Sequence, residues 1–108
     1  MSGGKEIKLF LNDLKKVDEI NFVNTNKNQR TARSIGLTTF EREDIIRNLN
    51  HSNYFSGPHD DDDMRRTGKI WIFKANYDGH TLYIKLKDKI EIDGKTIIIC
   101  LSCHIDEK

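Results

Sequence analysis

Tyr83, Lys85 and Lys87 alternate along TLYIKLK, and Ser102 and His104 alternate along CLSCHI. Lys74, from the preceding segment KIWIFKANY, adds a third ammonium group. Cations placed around a phosphate stabilise the charge that develops as it is attacked, and a phenol and an imidazole can both move protons. Imidazole is the side chain whose unperturbed pKa lies nearest neutrality. No carboxylate interrupts the set, whereas a solvated strand face ordinarily mixes charges of both signs. Tyr and Lys also occur on exposed sheet faces for β-propensity and solubility alone, so the pattern has a bland reading beside the chemical one.

Whether these groups meet depends on the strands that carry them. Asp78-Gly79 and Asp93-Gly94 suit two-residue type I′ turns. The spacing therefore predicts three consecutive antiparallel strands from Lys69 onward, with Tyr77 opposite His80 and Ile92 opposite Lys95. One face then holds Trp71, Leu86 and Leu101 in a row, followed by Phe73, Ile84 and Cys103, and by Ala75, Leu82 and Ile105. The other face holds Lys74, Tyr83 and His104; then Ile72, Lys85 and Ser102; then Ile70, Lys87 and Cys100. Cross-strand Cβ atoms stand roughly 5 Å apart, so Lys74, Tyr83, Lys85, Ser102 and His104 should cluster. A β-bulge in either hairpin would shift these rows by one residue.

Upstream, KEIKLFLNDLKKV spaces Ile7, Phe10, Leu11, Leu14 and Val17 as an amphipathic helix. EINFV reads as a short edge strand, and NKNQRTARSIG as a surface helix ended by Gly36. Thr38 and Glu41 form a capping-box pattern ahead of Ile45, Ile46 and Leu49. Residues 50–68 read as a long loop with the only proline. The expectation is one α+β domain over residues 1–108: a helical half at about 5–50, the loop, and a β-meander at 69–105. A small antiparallel sheet, with a possible N-terminal strand, should carry helices on one face.

The 108 residues are 36% hydrophobic and 32% charged, an ordinary globular balance. Net charge runs from +2 over residues 1–59 through −4 over Asp60–Asp63 to +3 over 64–108. A mildly basic chain permits a polyanionic partner without demanding one. No segment has the length and apolarity of a membrane span and no signal peptide is seen, so the expectation is a cytoplasmic protein. Cys100 and Cys103 have C-x-x-C spacing, but on a regular strand they face opposite sides, which disfavours a metal or thiol-redox site. Asp60–Asp63 lacks the spacers of a cation loop and reads as a solvated run beside Arg65 and Arg66. No Gly-rich phosphate loop occurs, and no metal or cofactor is expected.

IGLTTFEREDIIRNLNHSNYFSGPHDDD, IWIFKANYDGHTLYIKLK and IIICLSCH resemble, in order and spacing, the MqsR family of type II toxin-antitoxin toxins. The resemblance spans roughly residues 20 to 104. It implies a RelE-like fold and a metal-independent endoribonuclease that cuts mRNA, with a cognate antitoxin as partner; whether cutting also involves the ribosome is left open by the sequence. It also implies working roles for Tyr83 and for His104, two residues that the register independently places in one row. Lys85 and Lys74 would stabilise the reacting phosphate, and Ser102, Lys87, Arg65, Arg66, Lys69 and Ser56 would contact substrate. Ser56 stands where the family commonly has lysine, Ile72 where Glu or Gln is common, and Cys103 where phenylalanine is usual. Two other readings are a catalytically silent RNA- or protein-binding module and a metal-dependent nuclease using Asp60–Asp63.

Overall fold

A computed structural model describes residues 4–60 and 68–106. Among these residues, three α-helices, a short 3-10 turn at His51–Asn53 and six strands occur, in the order α1 (Gly4–Lys16), β1 (Glu19–Phe22), α2 (Asn26–Ser34), α3 (Thr39–Arg47), the 3-10 turn, β2 (Tyr54–Asp60), β3 (Lys69–Tyr77), β4 (His80–Lys87), β5 (Ile90–Ile92) and β6 (Lys95–Ile105). The strands form one mixed sheet in the order β1-β6-β4-β3-β2, with β5 paired to β6. The domain is α+β, and its sheet is not purely antiparallel because β1 runs parallel to β6.

Both Asp-Gly turns form as expected. Asp78 and Gly79 have φ of 49° and 81°, and Asp93 and Gly94 have 50° and 80°, the two positive values that a type I′ turn requires. Register from Tyr77↔His80 to Ile70↔Lys87 is unbroken. Between β4 and β6 the expected pairing holds from Leu82↔Ile105 to Lys85↔Ser102, then shifts so that Leu86 faces Cys100. Leu101 is the extra residue of this bulge. Cys100 and Cys103 consequently both turn into the core, at 1% exposure each, which corrects the expectation that they face opposite sides.

Residues 54–60, expected within a loop, instead form β2 against β3. Two register shifts, between Tyr54 and Ser56 and between Ser56 and His59, hide its alternation. Gly57 has φ +114° and a cis bond to Pro58; a Cβ there would stand 2.6 Å from the Ile70 carbonyl oxygen. Only glycine lets the strand pass so close to β3.

The helix side of the sheet is the core. Ile7, Phe10, Leu11 and Leu14 of α1 and Ile46 of α3 pack over Trp71, Phe73, Leu82, Ile84 and Leu86. Phe10 stacks on Trp71 with centroids 4.8 Å apart. Arg47 joins the helices by donating to the Leu14 and Val17 carbonyls at the end of α1. At the start of α3, Glu41 N–H donates to Thr38 Oγ1 and the Glu41 carboxylate accepts from Thr38 N–H, as the capping pattern predicts. Gly36, at φ +66°, ends α2, and Leu37 N–H returns to the Ala32 carbonyl.

Beyond Cys100, where β1 stops, α2 takes the place of a neighbouring strand. The buried Asn28 accepts from Cys103 N–H and donates to the Leu101 carbonyl, and Thr31 Oγ1 accepts from Ile105 N–H. Side chains of a helix thus satisfy the β6 edge that carries Ser102 and His104. Among the described residues, no helix is long and apolar enough to cross a membrane.

Candidate functional site

The face of the sheet away from the helices brings together most of the expected cluster. Tyr83 and His104 are directly opposite on β4 and β6, with rings stacked at a centroid distance of 5.3 Å and an interplanar angle of 14°. Lys85 and Ser102 pair in the adjoining row, beside Ile72. The bulge at Leu101 lies just past this row, so the expected Cys100 position in the third row is lost while the first two rows survive.

His104 Nδ1 lies 3.0 Å from the Ile105 carbonyl oxygen. A carbonyl only accepts, so Nδ1 carries the proton in that contact and Nε2 of the neutral ring keeps its lone pair. Tyr83, Lys85, Ser102 and His104 are all half-buried. Lys85 Nζ has no ion pair or hydrogen bond among the described residues. It is the cation of the cluster best placed to meet an anion.

Lys74 is different. Its ammonium lies 2.8 Å from Asp106 Oδ2 and 4.1 Å from the centroid of the Phe55 ring. The expected carboxylate-free cluster therefore contains a carboxylate, supplied from just beyond the end of β6. Asp106 N–H donates to the Thr81 carbonyl, which carries the ladder one residue further and holds the acid in place.

The other expected contacts scatter. Lys87 is buried at 7% exposure, its stem against Gly68. Lys69, two residues before the core-facing Trp71, shares its side of β3 rather than the polar face, and is ion-paired with Asp60 at the end of β2. That pair holds the Asp60 carboxyl below its ordinary value and raises Lys69, chiefly through the hydrogen bond between them. Arg65, Arg66 and Asp61–Asp63 lie outside the described residues. Ser56 does reach the polar face, opposite Ile72, where its hydroxyl lies 3.0 Å from His59 Nε2.

His59, Phe55 and Asp106 are the polar-face residues that the sequence reading missed. The first two belong to a strand disguised by its bulges, and the third follows the last strand residue. Neither cysteine joins this face. The Cys100 thiol is pushed up by its hydrogen bond to Cys103 and by burial, and it approaches the Ser102 carbonyl at 3.2 Å. A separate concavity of about 320 Å³ lies by α1, lined by Glu6, Phe10, Asp13, Trp71, Asp88 and Lys89 among others. It adjoins the core rather than Tyr83 and His104.

Comparison with protein-family models, curated protein sequences and solved structures gave no match for this chain. The class supported by the coordinates is an α+β domain with a mixed sheet, helices over one face and a polar cluster on the other.

Proposed function

We propose that this chain is a metal-independent endoribonuclease of RelE-like fold that cuts mRNA in the cytoplasm. It would act as the toxin of a toxin-antitoxin pair, as in the MqsR family that its sequence resembles. The observation that carries the reading is the stacked Tyr83 and His104 pair beside Lys85 and Ser102. A proton acceptor, a proton donor, a cation and a hydroxyl on one face are the groups needed for phosphodiester transfer from a ribose 2′-hydroxyl.

In this mechanism His104 Nε2 takes the 2′-hydroxyl proton as the oxygen attacks the adjacent phosphorus. The bond from phosphorus to the 5′ oxygen breaks, and the Tyr83 phenol protonates the departing oxygen. Products are a 2′,3′-cyclic phosphate and a 5′-hydroxyl; proton return from the imidazolium to the phenolate through water restores the site. Lys85 offsets the charge on the phosphorane, and Ser102 contacts a non-bridging oxygen. Lys74, neutralised by Asp106, plays the smaller electrostatic part. A cognate antitoxin would silence the enzyme, and the ribosome is a candidate platform for presenting the mRNA.

A second reading, a silent binding module, is favoured by one feature. The salt bridge from Lys74 to Asp106 removes a cation that a phosphate would otherwise use. Incubation with long mRNA, free (with EDTA or with Mg²⁺) or on ribosomes in Mg²⁺ buffer, separates the two. The nuclease leaves discrete 5′-hydroxyl ends, and His104→Ala reduces their formation by about 100-fold or more. Intact RNA in all these conditions contradicts the nuclease and leaves the module. Cutting that EDTA abolishes would instead point to the aspartate run.

A further inference from the structure

Phe55 is an aromatic ring with 54% of its surface exposed, on the face that carries Lys74, Tyr83, Lys85, Ser102 and His104. Its place is imposed by the backbone. Tyr54 pairs with core-facing Phe73, so alternation turns Phe55 outward, and the bulge between Tyr54 and Ser56 brings Ser56, opposite Ile72, to the same side. Tyr54 keeps the core contact, edge-on to Phe73 at 6.2 Å and to Trp71 at 6.4 Å. The hydrophobic core therefore does not account for Phe55.

The ring is oriented by Lys74, whose ammonium stands 4.1 Å from its centroid and is itself held by Asp106. A charge over one ring face fixes the ring while the rest of it stays open to solvent. Across the sheet the order is Phe55 on β2, Lys74 on β3, Tyr83 on β4 and His104 on β6. Phe55 is thus two strand spacings, about 10 Å, from Tyr83 and three, about 14 Å, from His104. An unpaired nucleic acid presents flat bases that stack on such rings, whereas a duplex keeps its bases inside.

We infer that Phe55 is a base-stacking platform that selects single-stranded RNA and seats a base next to the Tyr83 and His104 pair. The inference rests on the proposed RNA reading and names its substrate class. Stacking there fixes the neighbouring phosphate over β3 and β4, within reach of Lys85.

The test is the affinity of the full chain for a labelled single-stranded 2′-O-methyl RNA, which cannot supply the attacking hydroxyl, in EDTA. Phe55→Ala should weaken binding roughly 5- to 100-fold, as loss of one stacked base does. Phe55→Leu, which keeps apolar bulk over Lys74, should weaken it nearly as much, and Phe55→Trp should restore it. An RNA of abasic nucleotides should bind wild type and Phe55→Ala equally. Unchanged affinity in Phe55→Ala, full rescue by leucine, or an equal loss on abasic RNA would overturn the platform. Wild type that binds the RNA in a Phe55-dependent way yet cleaves no mRNA would sustain the platform and sink only the catalytic reading.

Discussion

Lys74 lies between the Asp106 carboxylate and the Phe55 ring, and these neighbours decide what it offers a polyanion. Its alternation with Phe73 and Ala75 was legible in the sequence, so its face was correctly placed. Asp106 was not, because a residue just past a strand carries no alternation signal of its own. Replacing Asp106 with Asn keeps the shape and releases the ammonium. Asp106→Asn should bind single-stranded RNA more tightly at low salt and steepen the dependence of log affinity on log salt by about 0.7, the value for one added phosphate contact on a single strand. An unchanged slope in a salt titration would show that Lys74 does not reach the backbone. Tyr83 and His104 were legible because the register set by the Asp93-Gly94 turn at Ile92↔Lys95, lost at Leu86↔Cys100, is recovered from Lys85↔Ser102 through Tyr83↔His104.

At the scale of elements, α2 does what its polar sequence did not advertise. Asn28 and Thr31 substitute for strand neighbours along β6, and Asn28 makes hydrogen bonds to Val23, Leu101 and Cys103. Asn28→Ala strips a buried N–H of its acceptor, which costs about 1–3 kcal/mol for the unsatisfied group. Calorimetric melting should show the loss. Amide exchange at Cys103 should accelerate, and protection there equal to wild type would contradict the edge-covering role. The α2 helix itself was readable from its glycine end, but its partner was not, since side-chain pairing to a strand edge has no sequence period.

The α3 start was readable in full, and it carries a pH dependence. The Thr38 backbone N–H, the Tyr77 phenol and the Thr38 hydroxyl hold the Glu41 carboxyl below its ordinary value. Asp18 is lowered likewise by the backbone N–H and hydroxyl of Thr96, where it ties the start of β1 to β6. A carboxyl depressed in the folded state adds stability above its unfolded pKa, and that stability is lost as pH falls through the folded value. Melting temperature should therefore drop on acidification below about pH 4, where Asp and Glu protonate in unfolded chains. Glu41→Gln should lie below wild type at neutral pH and approach it in acid. Parallel curves at all pH values would remove Glu41 from the account.

For the whole molecule, a sheet with an apolar helix-covered side and a polar open side divides stability from function. Trp71, Phe73, Ile84 and Leu86 hold α1, while the intervening residues of the same strands present Ile72, Lys74, Tyr83 and Lys85. The division was legible because two type I′ turns fix which residues share a side. What stayed hidden was where bulges interrupt it, at Phe55 and at Leu101, since residues there fit either side. The central claim is that the open side transfers a phosphodiester from a ribose 2′-hydroxyl. It is tested most directly by single-turnover cleavage, in EDTA, of an RNA bearing a mapped cut site, compared with the same RNA carrying one 2′-deoxyribose on the 5′ side of that phosphate. The account predicts cutting of the first to a 2′,3′-cyclic phosphate and no cutting of the second at that site. Equal cutting of both would contradict it.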